Sequence, residues 1–457
     1  MAYDTLIVEG KAVVPGQGVV EAAIAIQAGR IAALLDPQDR PAASEVISAR
    51  GLYVFPGGIE PHTHIGWMGR SMDHYRTETR AAAVGGVTTI FNYLLSKDPL
   101  DDLYQKHRAE ADSRVHVDYS FHFDGMGATQ LARLDHYRRD YGASSFKYFT
   151  NVGDLDAERR GTAKADDAML VDLMNAIARL PGTVLEVHVE NQAICDEFEA
   201  RAQKSDRNDQ ALYNEGRPPL AEGEAAWRSC YLAYKTGCPI HLAHISTADT
   251  LDAMRHFRAR GARISAEVSH THFTLTYDTA KQFTLKAPPI RGPEDKEAMV
   301  AGMLDGTIDC IAADHTAPGK IRAQRKNIWS AGHPHPVLPH WLPLLFSEIV
   351  HKRGMSLVRA AEISSTNAAR IFHLYPRKGT ILPGSDADLV LVDMEKEQTV
   401  DPDNMESDAD FALWEGWTLK GWPVRTLLRG RTVMLDGKIV GEPGWGQYLR
   451  RDGAPAG

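Results

Sequence analysis

Several things are scarce or missing in this sequence, and each absence removes a class of protein. There are 4 cysteines in 457 residues, Cys195, Cys230, Cys238 and Cys310. None forms a CxxC pair, so a disulfide scaffold is excluded and reduced thiols in a cytoplasmic setting are expected. No apolar run approaches the ~20 residues of a membrane span. The opening MAYDTLIVEGK has none of the basic-then-apolar pattern of a signal peptide. Positive charge is not in excess: 51 Lys and Arg stand against 60 Asp and Glu, a net charge of −9. Nucleic acid and anionic membrane surfaces both need a concentrated basic face, so neither is an expected partner. There is also no GxGxxG after an early strand, which argues against an open dinucleotide-binding sheet.

What is present is an ordinary globular composition, 43% hydrophobic and 24% charged, over a length sufficient for a large core. The first fifty residues read as short strands, TLIVEG, VVEAAIAI and EVISARGLYVF, separated by Gly and Pro. The last eighty offer GSDADLVLVDM and VRTLLRGRTVMLDGKIVG, the latter with a hairpin turn at Asp436-Gly437. The expectation is that residues 1–55 and 377–457 build one small β-sandwich domain together with the C-terminal tail.

Residues 56–376 have another rhythm. Apolar segments GLYVFPGGIE, VTTIFNYL, VHVDYSFHF, SSFKYF, TVLEVHV, IHLAHIS, ISAEVSHTHF and IDCIAADH alternate with helix-like stretches such as DDAMLVDLMNAIARL and ADTLDAMRHFRARG. Eight strands alternating with helices over this length predict an α/β fold, a (β/α)8 TIM barrel.

Metal-competent residues fall at the C-terminal ends of these segments, the face where barrel enzymes assemble their sites. His62 and His64 share one face of an extended PHTH segment. Lys147 ends SSFKYF, His188 ends the fifth strand, His244 the sixth, and Asp314 follows the eighth. Imidazole and carboxylate suit Zn²⁺ and similar cations. With 19 histidines in the chain, any one alone is by default a surface or hydrogen-bonded residue. The shared strand-end position singles these out, whereas His107, His116, His136 and His351 are expected on helices or at strand starts. Lys147 is the odd member, since an ammonium would repel cations. Addition of CO₂ to the neutral amine makes a carbamate, an anionic ligand with two oxygens that could bridge two metals.

FPGGIEPHTH, AAAVGGVTTI, SSFKYF, EVHVEN, LAHIST, LKAPPIRGPED, AADHTAP, STNAARIFHLYPRKGTILPGSDADLVLVD and the tail EGWTLKGWPVRTLLRGRTVMLDGKIVGEPGWGQYLRR carry a resemblance to a known family. The sequence resembles the metal-dependent amidohydrolase superfamily, in its cyclic amidohydrolase branch of dihydropyrimidinases and hydantoinases. The resemblance implies a binuclear site with two divalent cations, zinc first among them. His62 and His64 would hold one metal and His188 and His244 the other; carboxylated Lys147 would bridge them, and Asp314 would bind the first metal and carry the catalytic proton. It also implies hydrolysis of a C–N bond in a small cyclic amide, and a homo-oligomer, a tetramer by family habit. Asn151 and backbone groups near Ala287 and Ile328 are the candidate substrate contacts.

The sequence departs from that family at three places. The tyrosine that hydantoinases carry five residues after the bridging lysine is replaced by Val152, so either a metal polarises the carbonyl or another donor does, with Asn151, His122 and Tyr93 as candidates. EVSHTHF brings His270 and His272 near the mouth, and SAGHPHPVLPHWLPLLF replaces another family segment. The expected reaction is therefore opening of a hydantoin, dihydropyrimidine, imide or related ring. An allantoinase-type ureide hydrolase is the nearest alternative. A non-catalytic scaffold relative is disfavoured because all six ligand positions are filled.

Overall fold

The computed structural model describes residues 2–66, 71–281, 285–317, 328–329 and 334–451. His333 of the HPHP segment lies outside the described residues, while Pro334, His335 and Pro336 are within them.

Eight parallel strands form the central sheet: Gly58–Thr63, Val87–Leu94, Asp118–Asp124, Ser145–Phe149, Val184–His188, Ile240–Ile245, Ile264–Ser269 and Cys310–Ala312. Each pairs with its neighbour in chain order. The sheet closes between its last and first strands, where His315 N–H donates to His62 O at 3.0 Å and His64 N–H to His315 O at 2.9 Å. The strands are buried almost throughout, because the interior fills one face and helices cover the other. The intervening helices start where the sequence supplies a cap. Asp166 accepts from Ala168 and Met169 N–H ahead of Asp167–Ala178, and Thr247 from Thr250 N–H ahead of Ala248–Arg258. This is the expected (β/α)8 barrel.

Both chain ends build the remaining sheets. A seven-stranded sheet contains Lys11–Val14, Gly18–Glu21 and Tyr53–Pro56 from the N-terminal part, and Leu389–Thr399, Thr418–Leu428, Arg431–Leu435 and Lys438–Ile439 from the C-terminal part. A four-stranded sheet, Tyr3–Val8, Ala23–Gln27, Arg30–Leu35 and Ala43–Ser48, comes from the N-terminal part alone. Ile7, Ile24, Ile26 and Ile47 of one sheet and Val14, Leu389, Leu391 and Leu427 of the other share one apolar core. The hairpin at Asp436-Gly437 forms as expected: both residues have positive φ, and Leu435 pairs with Lys438.

Two segments differ from their sequence reading. GLYVFPGGIE is not one strand. It breaks at Gly57, so that Tyr53–Pro56 joins the seven-stranded sheet and Gly58–Thr63 enters the barrel. A Cβ on Gly57 would stand 2.1 Å from Thr88 Oγ1, so only glycine passes there. ISAEVSHTHF is extended only to Ser269, and His270–Thr274 then turn into a short helix, which sets His270 between Ala312 O and Trp341 O and His272 against the Pro288 and Pro289 carbonyls.

The tail closes the opposite end. Leu449 N–H donates to Tyr119 O at 2.7 Å, and the fully buried Arg451 donates to Ser145 Oγ at 2.7 Å and to Phe121 O. A buried ionic cluster joins the barrel to the strand region behind it. Lys378 Nζ lies 2.5 Å from Asp118 Oδ2 and 3.1 Å from Asp386 Oδ2 and also contacts Asp388, while Arg429 contacts Asp118. Lys378→Met should lower stability by about 3–5 kcal/mol, because buried carboxylates lose their cation. Thermal and urea unfolding would measure this; a midpoint equal to that of the wild type would show that the cluster contributes no net stability. Among the described residues no helix is long and apolar enough to cross a membrane, and all four cysteines are free and buried.

Candidate metal centre

At the C-terminal end of the barrel the strand-end residues converge. One ligand atom each from His62, His244 and Asp314 lies within 4.8 Å of the others. Asp314 Oδ1 stands 3.0 Å from His64 Nε2 and 3.3 Å from His62 Nε2. The His188 and His244 rings are 4.5 Å apart between centroids, and those of His62 and His244 5.0 Å.

Local backbone irregularities aim two of these side chains. The pairing register shifts between Glu60 and Thr63 around His62, and again between Leu242 and Ile245 around His244. Such bulges re-aim side chains next to active sites. His244 and Asp314 also have φ of 34° and 50°, left-handed values that cost energy for residues with a Cβ and that gather at functional sites.

Behind the ligand face lies a layer of carboxylates that the sequence reading did not pick out. Glu267 Oε1 sits 2.5 Å from His62 Nδ1; in the tautomer whose Nδ1–H donates to it, Nε2 keeps its lone pair for a cation. Glu60 accepts from His62 N–H and Ala313 N–H, both at 2.7 Å, and from Trp341 Nε1. Glu190 Oε2 lies 2.7 Å from His188 Nε2 and accepts from Arg217 at 2.9 Å, which leaves Nδ1 of His188 for a ligand. A clue was present in sequence: Glu60, Glu186, Glu190 and Glu267 are isolated carboxylates in or beside otherwise apolar strands.

Lys147 is fully buried beside the histidines, its Nζ 2.7 Å from Glu186 Oε1, and the same oxygen is 3.6 Å from His62 Nδ1. Burial pushes the His62 and His244 imidazoles well below their usual range, reinforced by Lys147 and the neighbouring rings. They are therefore neutral, as metal ligands must be. Burial alone would raise Asp314, but Lys286 and the facing histidines outweigh it and hold the carboxyl well below the usual range. Burial lifts Glu267 to about 8. Among the described residues the buried Nδ1 of His244 has no hydrogen-bond partner. Neutral imidazoles, an ionised aspartate and an orphaned ring nitrogen at one end of a barrel fit a divalent cation centre.

The other expected residues fall as follows. Asn151 is buried beside His188, with Nδ2 donating to Glu190 Oε2 at 3.0 Å. Ala287 stands at the mouth in a run whose Pro288 and Pro289 carbonyls face His272 Nε2 at 3.3 and 3.2 Å. The Ile328 N–H is bound to Asn208 Oδ1 at 3.0 Å and its side chain packs with Leu212, Tyr213 and Leu285.

A model described as the amidohydrolase family matches residues 53–433 of this chain. The D-hydantoinase of Geobacillus stearothermophilus is 30% identical over 98% of this chain and 96% of its own length. The L-hydantoinase of Paenarthrobacter aurescens is 29% identical over 98% of each. Among solved structures, dihydropyrimidinase from Brevibacillus agri NCHU1002 superposes with a TM-score of 0.90 at 28% identity, covering 98% of both chains.

Proposed function

This chain belongs to the amidohydrolase family, and on that footing we propose that it is a metal-dependent hydrolase that opens small cyclic amides at a C–N bond. The observation that carries this reading is the meeting of His62, His244 and Asp314 ligand atoms within 4.8 Å beside the buried Lys147.

In this reading His62, His64 and Asp314 would hold one divalent cation and His188 and His244 a second, with zinc the first choice and Lys147, as its carbamate, a further ligand. When bound, the cations supply Lewis acidity to water and to the amide carbonyl. The chain's own groups do the rest. Asp314 takes a proton from the attacking water and gives it to the departing ring nitrogen. Glu267 and Glu190 fix the tautomers of His62 and His188. Asn151 and the backbone near Ala287 line the ring site. Ile328 is the weaker candidate there, since its N–H is already used by Asn208.

We read residues 56–376 as the hydrolytic unit and 1–55 with 377–457 as its companion domain. Free buried thiols fit a cytoplasmic setting. A homo-oligomer, tetrameric by family habit, fits the helix Pro219–Thr236, which leaves Trp227, Tyr231 and Tyr234 38–49% exposed; light scattering would read its size.

The activity is tested by offering hydantoin, dihydrouracil, allantoin, dihydroorotate, succinimide and phthalimide to the zinc-loaded protein. The expected result is an open-chain acid from at least one hydantoin, dihydropyrimidine or imide ring. Two bound metals with no ring opened would overturn the reading.

A further inference from the structure

Addition of water to an amide carbonyl places a full negative charge on the carbonyl oxygen, and enzymes meet that charge with a donor fixed in advance. The side chains that the sequence offered for this task are engaged elsewhere. Tyr93 Oη donates to Glu186 Oε1. His122 is held between Ser145 Oγ at 2.5 Å and Pro61 O at 2.8 Å. The donor Nδ2 of Asn151 is engaged by Glu190 Oε2 at 3.0 Å and lies 2.8 Å from His188 Nε2, and Val152 is buried in the apolar core.

A second buried amine stands in the site. Lys286 immediately precedes the Ala287-Pro288-Pro289 run, and its side chain is 1% exposed. Its Nζ donates to Asp314 Oδ2, while Oδ1 of the same carboxylate faces His62 and His64. Among the described residues Asp314 accounts for one N–H of the three that a lysine ammonium carries, which leaves two for a ligand. The ion pair holds the amine beside Asp314, the group that moves the proton. Around it stand His272 and His335, both buried, and His272 Nδ1 has no hydrogen-bond partner. Burial pushes these two imidazoles well below their usual range, and Lys286 pushes them further. The wall therefore consists of neutral rings, with Lys286 as its charge.

We propose that Lys286 is a catalytic residue whose ammonium donates to the ring carbonyl oxygen as the tetrahedral adduct forms. This rests on the cyclic-amide reading above. Water adds its oxygen to the carbonyl carbon and loses a proton to Asp314. The carbonyl π pair moves onto oxygen, where the Lys286 N–H meets it. When the adduct collapses, that pair re-forms C=O, the C–N pair leaves with nitrogen, and nitrogen takes the proton from Asp314. Lys286 keeps its proton throughout, so the sum is ring plus water giving open-chain acid.

The test compares wild type, Lys286→Gln and Lys286→Arg on hydantoin, which is neutral, and on dihydroorotate, which bears a carboxylate. Metal content is read by mass spectrometry, and binding of a cyclic phosphinate that mimics the adduct by calorimetry. Lys286→Gln should keep its metal and its KM, and kcat should fall on the order of 10²–10³-fold on every ring that the wild type opens. Phosphinate affinity should fall similarly while affinity for the intact ring holds, and Lys286→Arg should recover part of kcat. Lys286→Met, of similar volume, replaces the glutamine variant if that one does not fold. An effect confined to the KM of dihydroorotate would make Lys286 a reader of anionic substituents and overturn the proposal. So would loss of metal, which would make it a support for Asp314, and so would an unchanged kcat. A wild type that opens no ring fails the cyclic-amide reading itself, whereas wild-type turnover with an unaffected Lys286→Gln fails this inference alone.

Discussion

Lys147→Ala is expected to leave a folded protein that has lost most of its bound metal and all measurable turnover. The direction of the metal effect discriminates between two readings. If Lys147 works as an ammonium paired with Glu186 at 2.7 Å, removing it takes a positive charge away from the histidine cluster and metal should bind more tightly. If it works as a carbamate shared by two cations, removing it deletes an anionic ligand and metal should fall. We expect the fall. In the ammonium reading stability would fall as well, because Glu186 is fully buried and would lose its partner, a change worth about 3–5 kcal/mol when a buried pair is broken. Lys147→Ala with Glu186→Gln separates that cost from the metal effect. Short-chain carboxylic acids should restore part of the activity by standing in for the missing carbamate. Full metal content with unchanged turnover in Lys147→Ala would remove the lysine from the centre.

Asp314→Asn is the second large effect: turnover should fall by about 10³-fold or more while the fold persists. Asparagine has nearly the same shape but cannot carry a proton at neutral pH. It is also one of the few residues that accept a left-handed backbone readily, which matters because Asp314 sits at a φ of 50°. The substitution therefore removes charge and proton transfer without straining the chain. Its neighbour Lys286 loses its counter-ion, so some metal and some stability go with it. Steady-state kinetics, metal analysis and thermal unfolding read these separately. Near-wild-type kinetics would mean that another acid–base serves the reaction.

The barrel was legible because its signal is local and repeated. Val- and Ile-rich strands alternate with capped amphipathic helices, and a chain that does this eight times has few other ways to bury its apolar faces. The candidate centre was legible for a related reason. Strand ends in a barrel share one face, so His62, His64, Lys147, His188, His244 and Asp314 point toward one another whatever the loops between them do.

Contacts across strands were not legible, because they depend on register and on bulges that no single segment encodes. Glu267 reaches His62, Glu190 reaches His188 and Glu186 reaches Lys147 only because particular strands pair at particular offsets. The break at Gly57 between two sheets depends on Thr88, far along the chain, filling the space where a side chain would stand. The turn of His270–Thr274 out of the strand sets His270 between Ala312 O and Trp341 O, contacts with remote residues. Lys286 lies in a segment with no strand or helix signal, and only the closed fold sets its amine against Asp314. The sequence by itself determined the architecture and the residue types at the strand ends. The tertiary structure decided which carboxylates stand behind the histidines and which cation faces the ring, because burial and distance between remote residues exist only once the barrel has closed.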